Sequence, residues 1–166
     1  MIYNRKSLLE AAPIKDMLSE KISAHGVTYG MSEAGYDIRI KQSVQFLRTD
    51  TGFIAGVMYP DGPDFTPGRF ALASAVEEFQ MPTYLTGIVH DKSSWARRGL
   101  SVFNTVIEPG WSGFLTLELV YHGDTDLIIP AGAGIAQVIF HQTSDFALYK
   151  GRYQNQADEP VPAIKA

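Results

Sequence analysis

Cysteine is absent from the 166-residue chain. That excludes disulfides and thiolate metal sites, and it fits a protein kept in a reducing compartment, so a cytoplasmic location is expected. Histidine is scarce. The four present, His25, His90, His122 and His141, are scattered with no i, i+4 pair, so they read as surface or packed residues rather than metal ligands. No apolar run is long enough to span a bilayer. The opening Met-Ile-Tyr-Asn-Arg-Lys leads into no apolar h-region, so a secretory signal is not expected. Basic residues are outnumbered, 14 Lys and Arg against 18 Asp and Glu, and the net charge of -4 argues against a general nucleic-acid binder. What remains, 45% hydrophobic and 19% charged, is the composition of a folded chain with enough length for one well-buried core.

The chemistry-bearing residues concentrate between Asp91 and Glu118. Lys92, Ser93, Ser94, Arg97 and Arg98 crowd into one short block. Hydroxyls beside guanidinium groups suit a phosphate-bearing ligand, because Ser donates hydrogen bonds and Arg pairs with phosphate in a two-pronged way. Glu108-Pro109-Gly110-Trp111 is turn chemistry ending in an aromatic. Glu118 follows on an otherwise apolar strand. An anion cradle, a tight hairpin and a lone carboxylate so close together have the character of an active site.

Along the chain, Asn4 is placed to cap a helix over Arg5–Ala12. Ile14, Met17, Leu18 and Ile22 have helical spacing, which predicts a second helix to about Ala24, broken by Gly26 and Gly30. From Gly35 the pattern is β. Strands are expected at Tyr36–Ile40, Gly52–Tyr59, Arg69–Ala75, Tyr84–His90, Phe114–Tyr121, Leu127–Ile129 and Ile135–His141. Asp61–Asp64 and Thr66–Gly68 read as turns, and Val76–Pro82 as a connection. Many short strands with Gly/Pro turns indicate a sandwich or barrel. After Tyr149 the chain becomes polar and Pro-containing, which predicts a mobile tail over 149–166 appended to a domain over 1–148.

The motifs resemble those of the dCTP deaminase branch of the trimeric dUTPase-like superfamily. Gly35-Tyr36-Asp37-Ile38-Arg39 resembles an early strand of that family, and Thr66-Pro67-Gly68-Arg69-Phe70-Ala71-Leu72-Ala73 the motif after it. Lys92-Ser93-Ser94-Trp95-Ala96-Arg97 resembles its phosphate motif, usually Arg-Ser-Ser-Leu-Ala-Arg. Glu108-Pro109-Gly110-Trp111-Ser112-Gly113 with Leu117-Glu118 is the most specific match. Pro130-Ala131-Gly132 with Ile135-Ala136-Gln137, and Tyr153-Gln154-Asn155-Gln156, complete the set in the family's order. The resemblance implies a mainly β, distorted jelly-roll (dUTPase-like β-barrel) with short N-terminal helices, assembled as a homotrimer with active sites between subunits. It implies a tail that closes over the nucleotide, Mg2+ carried on the triphosphate, and no zinc. The zinc nucleobase deaminases need cysteine ligands beside a His-x-Glu element, which this chain cannot supply.

Carried over by position, the resemblance makes Glu118 the general acid/base for hydrolytic deamination of dCTP to dUTP and ammonia, with Ser93 and Arg97 as its catalytic partners. Lys92, Ser94, Glu108, Trp111, Tyr149, Arg152, Tyr153 and Gln156 would bind substrate, Trp111 packing against the deoxyribose. A carboxylate on the exposed face of its strand is the plainer reading of Glu118, which shares a face with Thr116. Asp37 and Arg39 are read as structural and Arg98 as solvated. Three features depart from the family: Lys92 stands for arginine, the Leu100–Glu108 hairpin is shorter, and the tail lacks a Gly-Pro-Thr ending. The alternatives are a dUTP diphosphatase, with Glu108 or Asp91 activating water, a bifunctional deaminase–diphosphatase, and a non-catalytic nucleotide-binding regulator.

Overall fold

A computed structural model describes residues 1–165. In chain order the elements are β1 (Ile2–Tyr3), α1 (Arg5–Ala11), β2 (Lys21–Ala24), β3 (Val27–Met31), β4 (Tyr36–Arg39), β5 (Ser43–Thr49), β6 (Gly52–Tyr59) and β7 (Gly62–Pro67). There follow β8 (Phe70–Gln80), β9 (Leu85–Asp91), α2 (Ser93–Ala96), β10 (Leu100–Val102), β11 (Val106–Ile107), β12 (Ser112–Tyr121), β13 (Leu127–Ile129) and β14 (Gly134–Gln142). The fold is mainly β with two short helices. One sheet runs β11-β9-β14-β4-β3-β2, with β1 also on β14. A second is β10-β12-β8, and a third β13-β5-β6-β7. Strands alternate inward apolar and outward residues, so their inner faces meet in one core around Tyr36, Phe46, Phe79, Trp95 and Phe140. No helix among the described residues is long and apolar enough to cross a membrane.

The first helix forms where Asn4 predicts it. The Ser7 hydroxyl accepts from the Asn4 N–H at 3.1 Å and donates to the Asn4 carbonyl, closing the first turn. The second predicted helix is not there. Ile14 instead bridges Phe79 as a lone extended residue, and β2 and β3 form a hairpin. Its two-residue turn is His25-Gly26, with φ of 56° and 72°. Positive φ at both positions is the turn that matches strand twist, so this glycine is a hairpin residue and not merely a helix breaker. The predicted Asp61–Asp64 and Thr66–Gly68 turns lie largely within β7, an edge strand that tolerates Pro63 and Pro67 because one side needs no ladder partner.

The expected connection Val76–Pro82 is also strand for most of its length. β8 continues to Gln80 across an irregularity, since Phe114 and Thr116 of β12 face Glu78 and Ser74. The extra residues bend β8 so that Ala75 bridges Ile40 beside the neighbouring sheet. The charges of the segment are paired. Glu77, buried, accepts from the Arg39 N–H and Nε at 2.8 Å each, and Glu78 holds Lys15 at 2.5 Å. Burial pushes the Glu77 carboxyl up, against the pull of Arg39.

Candidate active site

The site is built on the turn from β11 into β12, which is not the expected hairpin, because β11 pairs with β9 and β12 with β8 and β10 in another sheet. Glu108-Pro109-Gly110-Trp111 closes tightly, the Trp111 N–H donating to the Glu108 carbonyl at 3.1 Å. Trp111 is buried against Phe79, which fixes the turn to the core. β12 then runs antiparallel to β8, with Thr116 opposite Ser74 and Glu118 opposite Leu72. Residues two apart on a strand share a face, so Thr116 and Glu118 point the same way.

That face opens on a cavity of about 450 Å³. Phe70, Leu72, Val106 and Leu115 give it apolar walls, and Glu108, Trp111, Thr116 and Glu118 supply its polar and aromatic groups. Glu118 is half-buried, and burial pushes its carboxyl above the ordinary carboxylate range, opposed only by a backbone hydrogen bond. Desolvation of the charged form is the cause. A carboxyl held in this way retains a proton more readily than a solvated one, which suits acid–base work.

The tail roofs the cavity. Instead of trailing away, residues 149–156 are hydrogen-bonded along that turn and the start of β12. The Tyr149 N–H donates to the Pro109 carbonyl at 2.8 Å, Asn155 N–H to Ser112, and Phe114 N–H to Gln156. The Trp111 indole donates to the Tyr153 carbonyl at 2.6 Å. Gly113 and Gln156 form a parallel bridge, and a Cβ on Gly113 would lie 2.5 Å from the Gln156 nitrogen. Gly113 has φ 130°, so the close approach and the backbone angle both call for glycine. Beyond Gln156 the chain turns back, anchored by Lys41 to Asp158 at 2.5 Å, and brings Val161 and Ala163 to the cavity wall.

The structure brings six of the expected site residues to this cavity: Glu108, Trp111, Glu118, Tyr149, Tyr153 and Gln156. The phosphate block stands elsewhere. Ser93 and Arg97 are exposed and do not line the cavity, and the Arg97 N–H closes α2 on Ser93. Ser94 has a solvent-shielded hydroxyl without a partner. Arg152 donates to the Ile164 carbonyl at 2.7 Å. Lys92 turns inward and pairs with buried Asp37, which also accepts from Thr28 and Gln137. Arg39 pairs with buried Glu77, and Arg98 lies over the Trp95 ring. Asp91 is engaged by the Val102 N–H at 2.7 Å. Sequence reasoning missed the wall residues Phe70, Leu72 and Val161. Apolar residues on strands carry no signal separating a cavity wall from core.

Comparison with known proteins is consistent along the whole chain. The family described as dCTP deaminase-like (DCD) matches residues 8–143. A dCTP deaminase of Campylobacter fetus subsp. fetus (strain 82-40) is 34% identical over 96% of this chain and 94% of its own. A dCTP deaminase of Chloroflexus aurantiacus (strain ATCC 29366 / DSM 635 / J-10-fl) is 29% identical with the same coverage. Among solved structures, 2'-deoxycytidine 5'-triphosphate deaminase from Agrobacterium tumefaciens superimposes with a TM-score of 0.55 over 86% of this chain and 48% of that one, at 16% identity. Native EIAV dUTPase gives 0.51 over 87% and 95%, at 19% identity. Both share the fold.

Proposed function

The chain belongs to the dCTP deaminase family within the dUTPase-like superfamily, and from that premise we propose that it hydrolyses dCTP to dUTP and ammonia with Glu118 as proton shuttle. The observation that carries this reading is a half-buried carboxyl, pushed up by desolvation and facing a tail-roofed cavity of nucleoside dimensions. In the reaction, water adds to C4 of the cytosine ring while Glu118 takes one of its protons. The proton is returned to the exocyclic amine as the C4–N bond breaks and ammonia leaves, and the remaining hydroxyl proton passes to N3 as C4 becomes a carbonyl. Trp111, Tyr149, Tyr153 and Gln156 would enclose the nucleoside, with Glu108 at the rim.

Ser93 and Arg97 enter this reading from a neighbouring copy of the chain. They are exposed and lie outside the chain's own Glu118 cavity, while the motif suits the triphosphate. A homotrimer with sites between subunits places one chain's α2 at another's cavity. Arg152 would add a phosphate contact there, while Ser94, its hydroxyl shielded, and Lys92, its ammonium held by Asp37, would act mainly through α2. Among the described residues no three carboxylate or imidazole side chains gather into a metal-binding group. Mg2+ fits instead as a cation carried by triphosphate oxygens, where it neutralises phosphate charge.

A diphosphatase activity on dUTP is the second reading, alone or following deamination. It draws on the short Leu100–Glu108 connection, expected as a hairpin but joining strands of two different sheets, and on Glu108 exposed at the cavity rim. Incubation with each deoxynucleoside triphosphate and magnesium, assaying ammonia and pyrophosphate separately, decides between them. Deamination gives ammonia from dCTP without pyrophosphate. Pyrophosphate from dUTP without ammonia from dCTP would replace it by the second reading.

A further inference from the structure

Thr116 carries a hydrogen-bond arrangement that the reaction above does not use. Its hydroxyl lines the cavity on the Glu118 face and accepts two hydrogen bonds from the tail, one from Gln156 Nε2 and one from the Val161 N–H at 3.0 Å. A threonine hydroxyl has two acceptor lone pairs and one proton to give. With both lone pairs occupied by donors, the oxygen has only its proton left to offer. Among the described residues no protein acceptor takes that proton, since Thr116 enters its hydrogen bonds only as acceptor. Thr116 is otherwise buried, so the cavity is where an acceptor can meet it.

We propose that Thr116 is a specificity-determining hydrogen-bond donor to the ligand's base, its polarity fixed by the docked tail. Resting on the nucleotide reading above, the acceptor it selects is a ring carbonyl or unprotonated ring nitrogen of the pyrimidine, held beside Glu118. An amino group offered at the same point would face a proton and be rejected, since two donors cannot share a hydrogen bond. The tail thereby does more than cover the cavity. When Gln156 and Val161 dock, a hydroxyl that could turn either way becomes a donor only.

The test compares wild type, Thr116→Val and Thr116→Ser for binding of dCTP and of its abasic counterpart, 1,2-dideoxyribose 5-triphosphate. Valine keeps the shape and removes the hydroxyl, and melting curves establish that each variant is folded. A donor to the base predicts that Thr116→Val weakens dCTP binding roughly 3- to 10-fold, the range for one neutral hydrogen bond. Abasic triphosphate affinity falls by less, through the lost tail contacts alone, and Thr116→Ser restores dCTP binding. If Thr116 merely anchors the tail, valine weakens both ligands equally, and that result overturns the inference while leaving the nucleotide reading intact. Wild-type protein that binds neither triphosphate overturns the nucleotide reading and this inference with it.

Discussion

At the scale of single residues, two carboxyls decide most of the behaviour. Burial raises Glu118, so its folded-state pKa lies above its unfolded value and the ionised form costs stability. The stabilising contribution is therefore complete when the carboxyl is protonated and is lost as pH rises through the folded pKa. Glu118→Gln should melt higher than wild type at neutral pH, and the difference should vanish below the ordinary carboxylate range. Thermal scans across pH measure this. An equal shift at every pH would mean the gain is not electrostatic. Asp37 is a buried carboxylate paired with the Lys92 ammonium. Lys92→Met leaves that charge without its partner, at a cost of about 3 kcal/mol, the lower end for breaking a buried pair because Thr28 and Gln137 still donate to it. Unchanged melting of the folded variant would show that Lys92 is free to serve a ligand.

At the scale of elements, the tail is where composition and structure part company. Its polarity and prolines predict mobility, yet residues 149–156 are bonded backbone to backbone along the Glu108–Ser112 turn and the start of β12. Truncation after Leu148 should therefore lower the melting temperature by several degrees, since it strips hydrogen-bond partners and uncovers Trp111. Unaltered melting would restore the mobile tail. Gly113→Ala should act in the same direction, costing roughly 1–3 kcal/mol through a Cβ against the Gln156 backbone and an unfavourable φ. Much of the fold is nonetheless legible in the sequence. The strands Gly52–Tyr59 and Leu127–Ile129 fall where alternation and turn residues place them. The Ile14–Ala24 segment was not, because apolar residues at helical spacing there are divided between a lone bridge and a two-residue hairpin. β8 was cut short because Glu77 and Glu78 look solvated until Arg39 and Lys15 are found beside them, and such partners are distant in the chain. Glu118 was legible through its motif. The cavity walls were not, since Phe70, Leu72 and Val161 become neighbours only through β8–β12 pairing and tail docking.

At the scale of the whole molecule, the proposed machinery is divided. Glu118 lies in a cavity that the chain's own α2 does not line, so on the proposed reading a second copy supplies Ser93 and Arg97. Light scattering should give three times the chain mass. Glu118→Gln and Arg97→Ala should each be inactive alone, and unfolding and refolding them together should restore activity, because some interfaces then combine an intact Glu118 with an intact Arg97. With random mixing in a three-fold ring, that fraction is roughly a quarter. No recovery from well-folded mixed trimers would place both residues in one chain's site. The most direct measurement is ammonia release from dCTP by wild type and by Glu118→Gln, with nucleotide binding followed in parallel. A proton shuttle at Glu118 predicts release by wild type and a fall of about 10²–10⁴-fold in the variant, with affinity little changed. Ammonia released at the wild-type rate by Glu118→Gln, or none from wild type while dCTP is bound, would contradict it.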